Sequence, residues 1–275
     1  QLQQFIKTLK NKNTAGAYRH GILIFLEWLG ADRLADLKAG ELANFVAFLE
    51  ESYAAKSINQ TLSAVRSYLK WSAQQGKLPA SVYAEAVVVG NVREEKRLPR
   101  PVSEDEIERL LDGLDLTTEP GARLYAFIKL ASSSGARVSE LIGLNVESID
   151  WKLHQAIVMG KGSKERPIFF SNEAASALVY YLSLRNSPVG GPLFTNEEGN
   201  RISARWFQKE LKSLGEKLGI EDVHPHRFRH SFAVLMLRKT RSLETVSALL
   251  GHEDPRTTRI YASLANDILR EAHEA

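Results

Sequence analysis

The sequence predicts a mainly α-helical protein with a small β element, built as two domains. Apolar residues recur at three- and four-residue intervals through most of its 275 residues, the period of a helix with one buried face. One short stretch, "QAIVMG", "KGSK", "ERPIFF", instead reads as two strands about a glycine-bearing turn. A charged, proline-containing seam, "VVVGNVREEKRLPRP" from Val87 to Pro101, interrupts both patterns. The expected organisation is a helical domain over 1–90, a linker over 91–102 and a second domain over 103–275.

In the first domain Tyr18, Ile22, Phe25, Leu26 and Leu29 mark one helix, and Leu42, Phe45, Val46 and Leu49 another. Ser57 and Gln60 have capping-box spacing, which predicts a helix starting there with Ile58, Leu62, Val65 and Leu69 inward. Its other face carries Lys56, Asn59, Gln60, Ser63, Arg66, Ser67 and Lys70, polar and basic with no acid. Such a face suits phosphates and base edges in a major groove, and it equally suits plain solvation. After the seam, Ser103 and Glu106 form a second capping box. The hairpin follows, with Lys161 in its turn between Gly160 and Gly162. Helices are then expected over about 203–218 (Arg205 near its start), from the heptapeptide "HPHRFRH" onward, over 242–250 and over 262–273.

Composition narrows the function classes. Hydrophobic residues make up 44% and charged residues 25%, the balance of a globular protein, and no apolar run approaches the ~18 residues of a membrane span. The N-terminus lacks the basic-then-apolar order of a signal peptide, so a cytoplasmic protein is expected. Cysteine is absent, which excludes disulfides and thiolate chemistry. The net charge is +3, but its distribution is uneven. Residues 1–98 hold 13 Lys/Arg against 9 Asp/Glu, and residues 99–275 hold 23 against 24. Two windows, Ser52–Ala84 and Val223–Leu243, contain no carboxylate. Local positive fields of that kind suit a polyphosphate partner.

The heptapeptide "HPHRFRH", His224 to His230, concentrates the question. His226 and His230 are spaced i, i+4, as two metal ligands on a helix would be, with His224 nearby. Arg227 and Arg229 would repel a cation, however, and no acid lies in the window to complete a shell. No metal is expected. "GKGSK" lacks the Walker spacing and the helix that should follow, so ATP use has no support either. Phosphate fits better. Arginine offers a planar fork of donors, and histidine donates a hydrogen bond and exchanges a proton near neutral pH. His226 and Arg229 share the first turn of a helix, whose free N–H groups also favour an anion. His224 and His230 are expected to be structural. Arg137 follows Gly135 between two helices, His252 follows Gly251 in a loop, and Tyr261 lies nine residues further on.

The ordered set "GARVSEL", "GKGSKERP", "HPHRFRHSFA" and "LLGHEDPRTTRIYA" resembles the tyrosine recombinases of the phage-integrase family, particularly their compact Xer-type members. The likeness covers nearly the whole chain. It departs at Ala136, where a larger apolar residue is common, and at Phe228, where leucine is usual. The resemblance implies a two-domain DNA clamp with a helical core-binding domain and a catalytic domain. It also implies a catalytic set of Arg137, Lys161, His226, Arg229, His252 and Tyr261, with Tyr261 as nucleophile.

The implied reaction passes a DNA phosphodiester to tyrosine and back. Near pH 7 only about one tyrosine in a thousand is ionised, a deficit of roughly 4 kcal/mol that a cationic pocket helps to offset. Arg137 and Arg229 would clamp the phosphate, His226 would hydrogen-bond it and assist proton movement at Tyr261, His252 would position the phosphate, and Lys161 would protonate the departing 5′ oxygen. The 3′-phosphotyrosyl link keeps the bond's energy, so no cofactor is needed. DNA contacts are expected from Lys56, Asn59, Gln60, Arg66, Lys70 and Arg205, though Arg205 fits a plain surface cation equally well. The implied partner is double-stranded DNA with an inverted-repeat site, bound by a homo- or hetero-tetramer. The helix bearing Leu264, Ile268 and Leu269 would dock on a neighbouring protomer or fold back on its own core. A type IB topoisomerase-like nicking-closing enzyme and an inactive DNA-binding module are the competing readings.

Overall fold

The computed structural model describes residues 1–10, 12–30, 34, 37–38, 40–94, 100–160, 164–185, 190–251 and 257–262. The chain divides into two compact units, Gln1–Lys96 and Arg97–Ala275.

The first unit packs helices α1 (Leu2–Thr8), α2 (Lys12–Leu29), α3 (Glu41–Glu50), α4 (Ala55–Gln74) and α5 (Ala80–Val88). The inward faces are those the spacing predicts: Ile22, Phe25 and Leu29 of α2, Leu42, Phe45 and Leu49 of α3, and Ile58, Leu62, Val65 and Leu69 of α4 are all buried. The start of α4 differs from expectation. It begins at Ala55 after Ala54, with no side-chain cap, so Ser57 and Gln60 sit inside the first turns rather than forming a capping box. The polar face of α4 is also shared out unexpectedly. The chain leaving α5 lies along it, and the Asn59 amide both accepts from Val92 N–H and donates to Val92 carbonyl, each at 2.9 Å. Asn59 also donates to Glu94 (2.6 Å), while Arg66 reaches the Val89 and Gly90 carbonyls and Asn91 Oδ1 (2.7 Å). Lys56, Gln60 and Lys70 stay exposed.

The second unit opens with α6 (Glu104–Asp112), started by the full Ser103–Glu106 capping box. Helix α7 (Glu119–Ser134) is its centre: Ala122, Leu124, Phe127, Ile128, Leu130 and Ala131 are buried around most of its circumference. After α8 (Val138–Gly143) come strands β1 (Ile149–Asp150), β2 (Gln155–Met159) and β3 (Glu165–Phe169), an antiparallel sheet in the order β1-β2-β3. The predicted hairpin is β2–β3, with Val158 opposite Arg166 and Met159 opposite Glu165. Its turn, Lys161 included, lies outside the described residues. Helices α9 (Asn172–Leu184), α10 (Ala204–Leu218), α11 (Pro225–Thr240) and α12 (Leu243–Leu250) follow, then a 3₁₀ turn over Arg259–Tyr261. Ser171, Ser203 and Ser242 each cap the helix that follows by accepting a backbone N–H, worth about 1 kcal/mol apiece. The expected C-terminal helix, with Leu264, Ile268 and Leu269, lies outside the described residues.

Arg227 shows how α11 is fastened. It is 1% exposed, and its guanidinium donates to the Arg100 carbonyl (2.9 Å), the Pro101 carbonyl (2.9 Å), the Glu221 carbonyl (2.6 Å) and Glu106 Oε2 (3.1 Å). Ser231 adds a reciprocal pair of bonds to the Val102 backbone. The entering segment 100–102 and the capping box of α6 are thus bound to α11 before any substrate group is considered. Arg227→Leu should strand Glu106 and three carbonyls and cost the second unit about 3 kcal/mol, read as a lower urea midpoint for that unit alone.

Candidate active site

The site is assembled from helix ends. Helix α7 stops at Gly135, whose φ of 61° lies in the left-handed region. A side chain there is blocked twice, since a Cβ would also fall 2.2 Å from the Phe232 ring. Two residues later Arg137 stands at the N-cap of α8. Glu140, one turn into α8, reaches back to accept the Arg137 backbone N–H (2.8 Å) and its Nη1 (2.9 Å).

Arg229 enters from α11 and is 4% exposed. Its Nη1 donates to the Gly135 carbonyl (2.7 Å) and its Nη2 to the Leu250 carbonyl (2.8 Å). These are the carbonyl-rich ends of α7 and α12, where the helix dipole favours a cation. Burial first, and then the charge of Arg137, pushes the Arg229 guanidinium down to about 10. It therefore stays essentially fully charged at neutral pH.

Glu140 holds the two sides together. Its Oε2, which takes the Arg137 backbone N–H, also accepts Arg166 Nη2 (2.7 Å) from β3, and Arg166 Nη1 in turn donates to the Leu249 carbonyl (2.8 Å). Burial alone would push this carboxyl up. The Arg137 backbone N–H and the Arg166 and Arg137 guanidiniums outweigh it and hold the group below its ordinary range. Gly251 ends α12 at φ 63°, and a Cβ there would lie 2.5 Å from Arg166 Cδ, so the residue before His252 has room for glycine alone. Neither Glu140 nor Arg166 was singled out from the sequence. Both lie inside quoted motifs, "GARVSEL" and "GKGSKERP", but the contact that joins them spans 26 residues of chain.

Tyr261 is 2% exposed, its ring packed with Phe232, Ala233, Leu237, Val246 and Leu250. Its hydroxyl meets His230 Nδ1 at 2.9 Å. His230, expected to cap or pack, is thus hydrogen-bonded to the tyrosine oxygen. Position i+4 from His226 made it look like a ligand pair or a spare, because local spacing carries no information about a partner 31 residues on. Burial pushes the Tyr261 phenol up, more than the fields of Arg229 and Arg137 pull it down. His226 lies exposed in the first turn of α11, its ring centroid 6.3 Å from that of His224. Arg137, Arg229 and Tyr261 thus gather at one place, with His226 on the same helix as Arg229. Lys161 and His252 lie outside the described residues. Of the expected DNA contacts, Lys56, Gln60, Lys70 and Arg205 are exposed, whereas Asn59 and Arg66 are engaged with residues 89–94.

An α-rich unit thus brings a buried phenol beside two guanidiniums, an arrangement whose chemistry suits a phosphate ester. The chain matches the phage integrase family over residues 100–267 and the phage integrase N-terminal SAM-like domain over 2–76. It belongs to that family, whose tyrosine recombinases cleave and rejoin DNA through a tyrosine intermediate. It is 33% identical to tyrosine recombinase XerC of Yersinia pestis, covering 100% of this chain and 93% of that protein. It is 35% identical to XerC of Escherichia coli O157:H7, over 92% of this chain and 85% of that protein. Among solved structures, XerH bound to a palindromic difH substrate superposes with a TM-score of 0.79 at 23% identity, over 94% of this chain and 78% of that one. A λ integrase dimer on a core site gives 0.76 at 16% identity, over 94% and 93%. These two likenesses concern the fold. Among the described residues no helix is long and apolar enough to cross a membrane.

Two outcomes follow from this geometry. Glu140→Gln leaves two guanidiniums facing a neutral amide in a buried place, and should cost about 3 kcal/mol in a thermal or urea melt. The second concerns pH. Burial first, and then His226, His224 and Arg229, holds the His230 imidazole down at about 4. The unfolded chain protonates it near pH 6.5, so the stability it contributes is full above that value and declines as pH falls towards 4. Urea titrations at pH 7 and pH 5 should show a larger loss for wild type than for His230→Asn. Equal losses would sink this assignment.

Proposed function

We propose that this chain is a Xer-type site-specific recombinase working in the cytoplasm on nucleoid DNA, serving chromosome-dimer resolution or the integration and excision of an element. The observation that carries the residue assignments is the Tyr261 hydroxyl, buried where the charges of Arg137 and Arg229 act on it. Tyr261 attacks the scissile phosphorus and forms a 3′-phosphotyrosyl link. Arg137 and Arg229 hold the non-bridging oxygens and stabilise the charge of the transition state. Lys161 protonates the departing 5′ oxygen, while His226 and His252 hydrogen-bond the phosphate. The 5′-hydroxyl of another strand then reverses the step, with no need of ATP.

Lys56, Gln60 and Lys70 on the first unit and Arg205 on the second contact the duplex, the first three over a window without carboxylates. Asn59 and Arg66 instead hold the chain leaving α5. The target is a duplex with an inverted repeat, bound by four protomers, with the 262–273 segment contributing to their association. The solved XerH and λ integrase relatives, each bound to DNA, support the choice of partner.

The test is covalent capture. Wild type and Tyr261→Phe are incubated with sheared genomic DNA, denatured, and the attached DNA is sequenced. Fragments joined through a 3′-phosphate in wild type alone, sharing an inverted repeat, are expected. Random fragments would point to a relaxing topoisomerase. No attachment by wild type would overturn the enzymatic assignment of Tyr261.

A further inference from the structure

We propose that His230 accepts the hydrogen bond of the Tyr261 hydroxyl and takes its proton as the phosphotyrosyl bond forms. This rests on Tyr261 being the nucleophile. The two groups are 2.9 Å apart, with ring centroids at 5.6 Å. They belong to elements already fixed for other reasons: α11 by Arg227, and the 3₁₀ turn by the packing of the Tyr261 ring against α11 and α12.

Chemistry gives the direction of the bond. A phenol is a good donor and a poor acceptor, whereas the bare nitrogen of a neutral imidazole is a good acceptor. His230 is kept neutral by its setting: it is half-buried and is faced by the cation of Arg229 and by His226 and His224 on its own helix. From other elements Tyr261 is the group in contact, and Arg137 acts on that phenol in turn. The neutral form with its proton on Nε2 leaves Nδ1 bare towards the hydroxyl. Tyr261 then donates, and its oxygen lone pairs are free for phosphorus.

The step balances as follows. The Tyr261 O–P bond forms and the P–O5′ bond breaks. The tyrosine proton passes to His230 Nδ1, and the 5′ oxygen takes a proton from the general acid. In the free protein an imidazolium here would face Arg229 across little solvent. A phosphodiester in the site brings the negative charge that offsets those cations, so proton uptake becomes favourable only once substrate is bound. His226, exposed at the helix start, remains for the phosphate itself.

The test has one arm without DNA and one with it. In the full chain with ¹⁵N-labelled histidine, His230 is expected as an Nε2–H tautomer whose Nδ1 resonance carries the shift of an acceptor. Tyr261→Phe should abolish that shift; a protonated or unshifted Nδ1 overturns the hydrogen bond. In covalent capture on sheared genomic DNA, His230→Gly should attach at least about 100-fold more slowly than wild type. Added imidazole should restore a measurable part, and pyrrole, of the same size but without a basic nitrogen, should not. His230→Asn, which keeps an acceptor but no base, should melt like wild type and still attach slowly. Wild-type rates in His230→Asn overturn proton transfer. Faster attachment by His230→Gly would show that the histidine restrains the tyrosine, and equal rescue by pyrrole would show a packing role; either overturns the proposal. If wild type captures no DNA, the nucleophile assignment and the transfer step fall together, while the nitrogen resonance still decides the hydrogen bond.

Discussion

The second unit is organised around one difficult requirement, a nearly inaccessible guanidinium at Arg229 beside a second one at Arg137. Neither desolvation nor like charge favours such a pair. The fold meets the cost by turning the carbonyl ends of α7 and α12 towards Arg229 and a buried carboxylate towards Arg137. Glu140 then needs Arg166 as its second partner, and Arg166 ties β3 to the end of α12. Helices α7, α8, α11 and α12 and the sheet edge are therefore fixed relative to one another by the electrostatics of the site itself.

One consequence is that the site cannot form piecemeal. Arg137 is correctly placed only if Gly135 closes α7, and the space a side chain would take at that glycine is filled by Phe232. Phe232 belongs to the same cluster as Tyr261. A residue that ends one helix, a ring that packs behind it and the tyrosine hydroxyl therefore share a single packing solution.

Much of this was legible in the sequence, and the gaps have a common physical origin. Three- and four-residue spacing identified the inward faces of α2, α3 and α4, and the Ser103–Glu106 pair located a real cap, because those signals are local. The start of α4 was misread since Ser57 and Gln60 have capping spacing, yet helix geometry was already available from Ala55. The polar face of α4 was recognised, but not its division: nothing near Asn59 or Arg66 announces partners 23 to 35 residues later. Glu140 and Arg166 escaped notice likewise, and His230 was noted without its partner Tyr261. Each is explained by a contact between elements, and periodicity identifies the face a residue occupies without identifying what stands opposite.

The depth of Tyr261 bears on genome safety. A strand joined to protein through a phosphate ester is, for as long as it lasts, a chromosome break held shut by one bond, and a stray water molecule would make it permanent. In the free protein Tyr261 is 2% exposed, within the cluster that holds Phe232, Leu237 and Leu250. On the role proposed for Tyr261, the burial that makes the phenol reluctant to ionise also restrains it from cutting before DNA is in place.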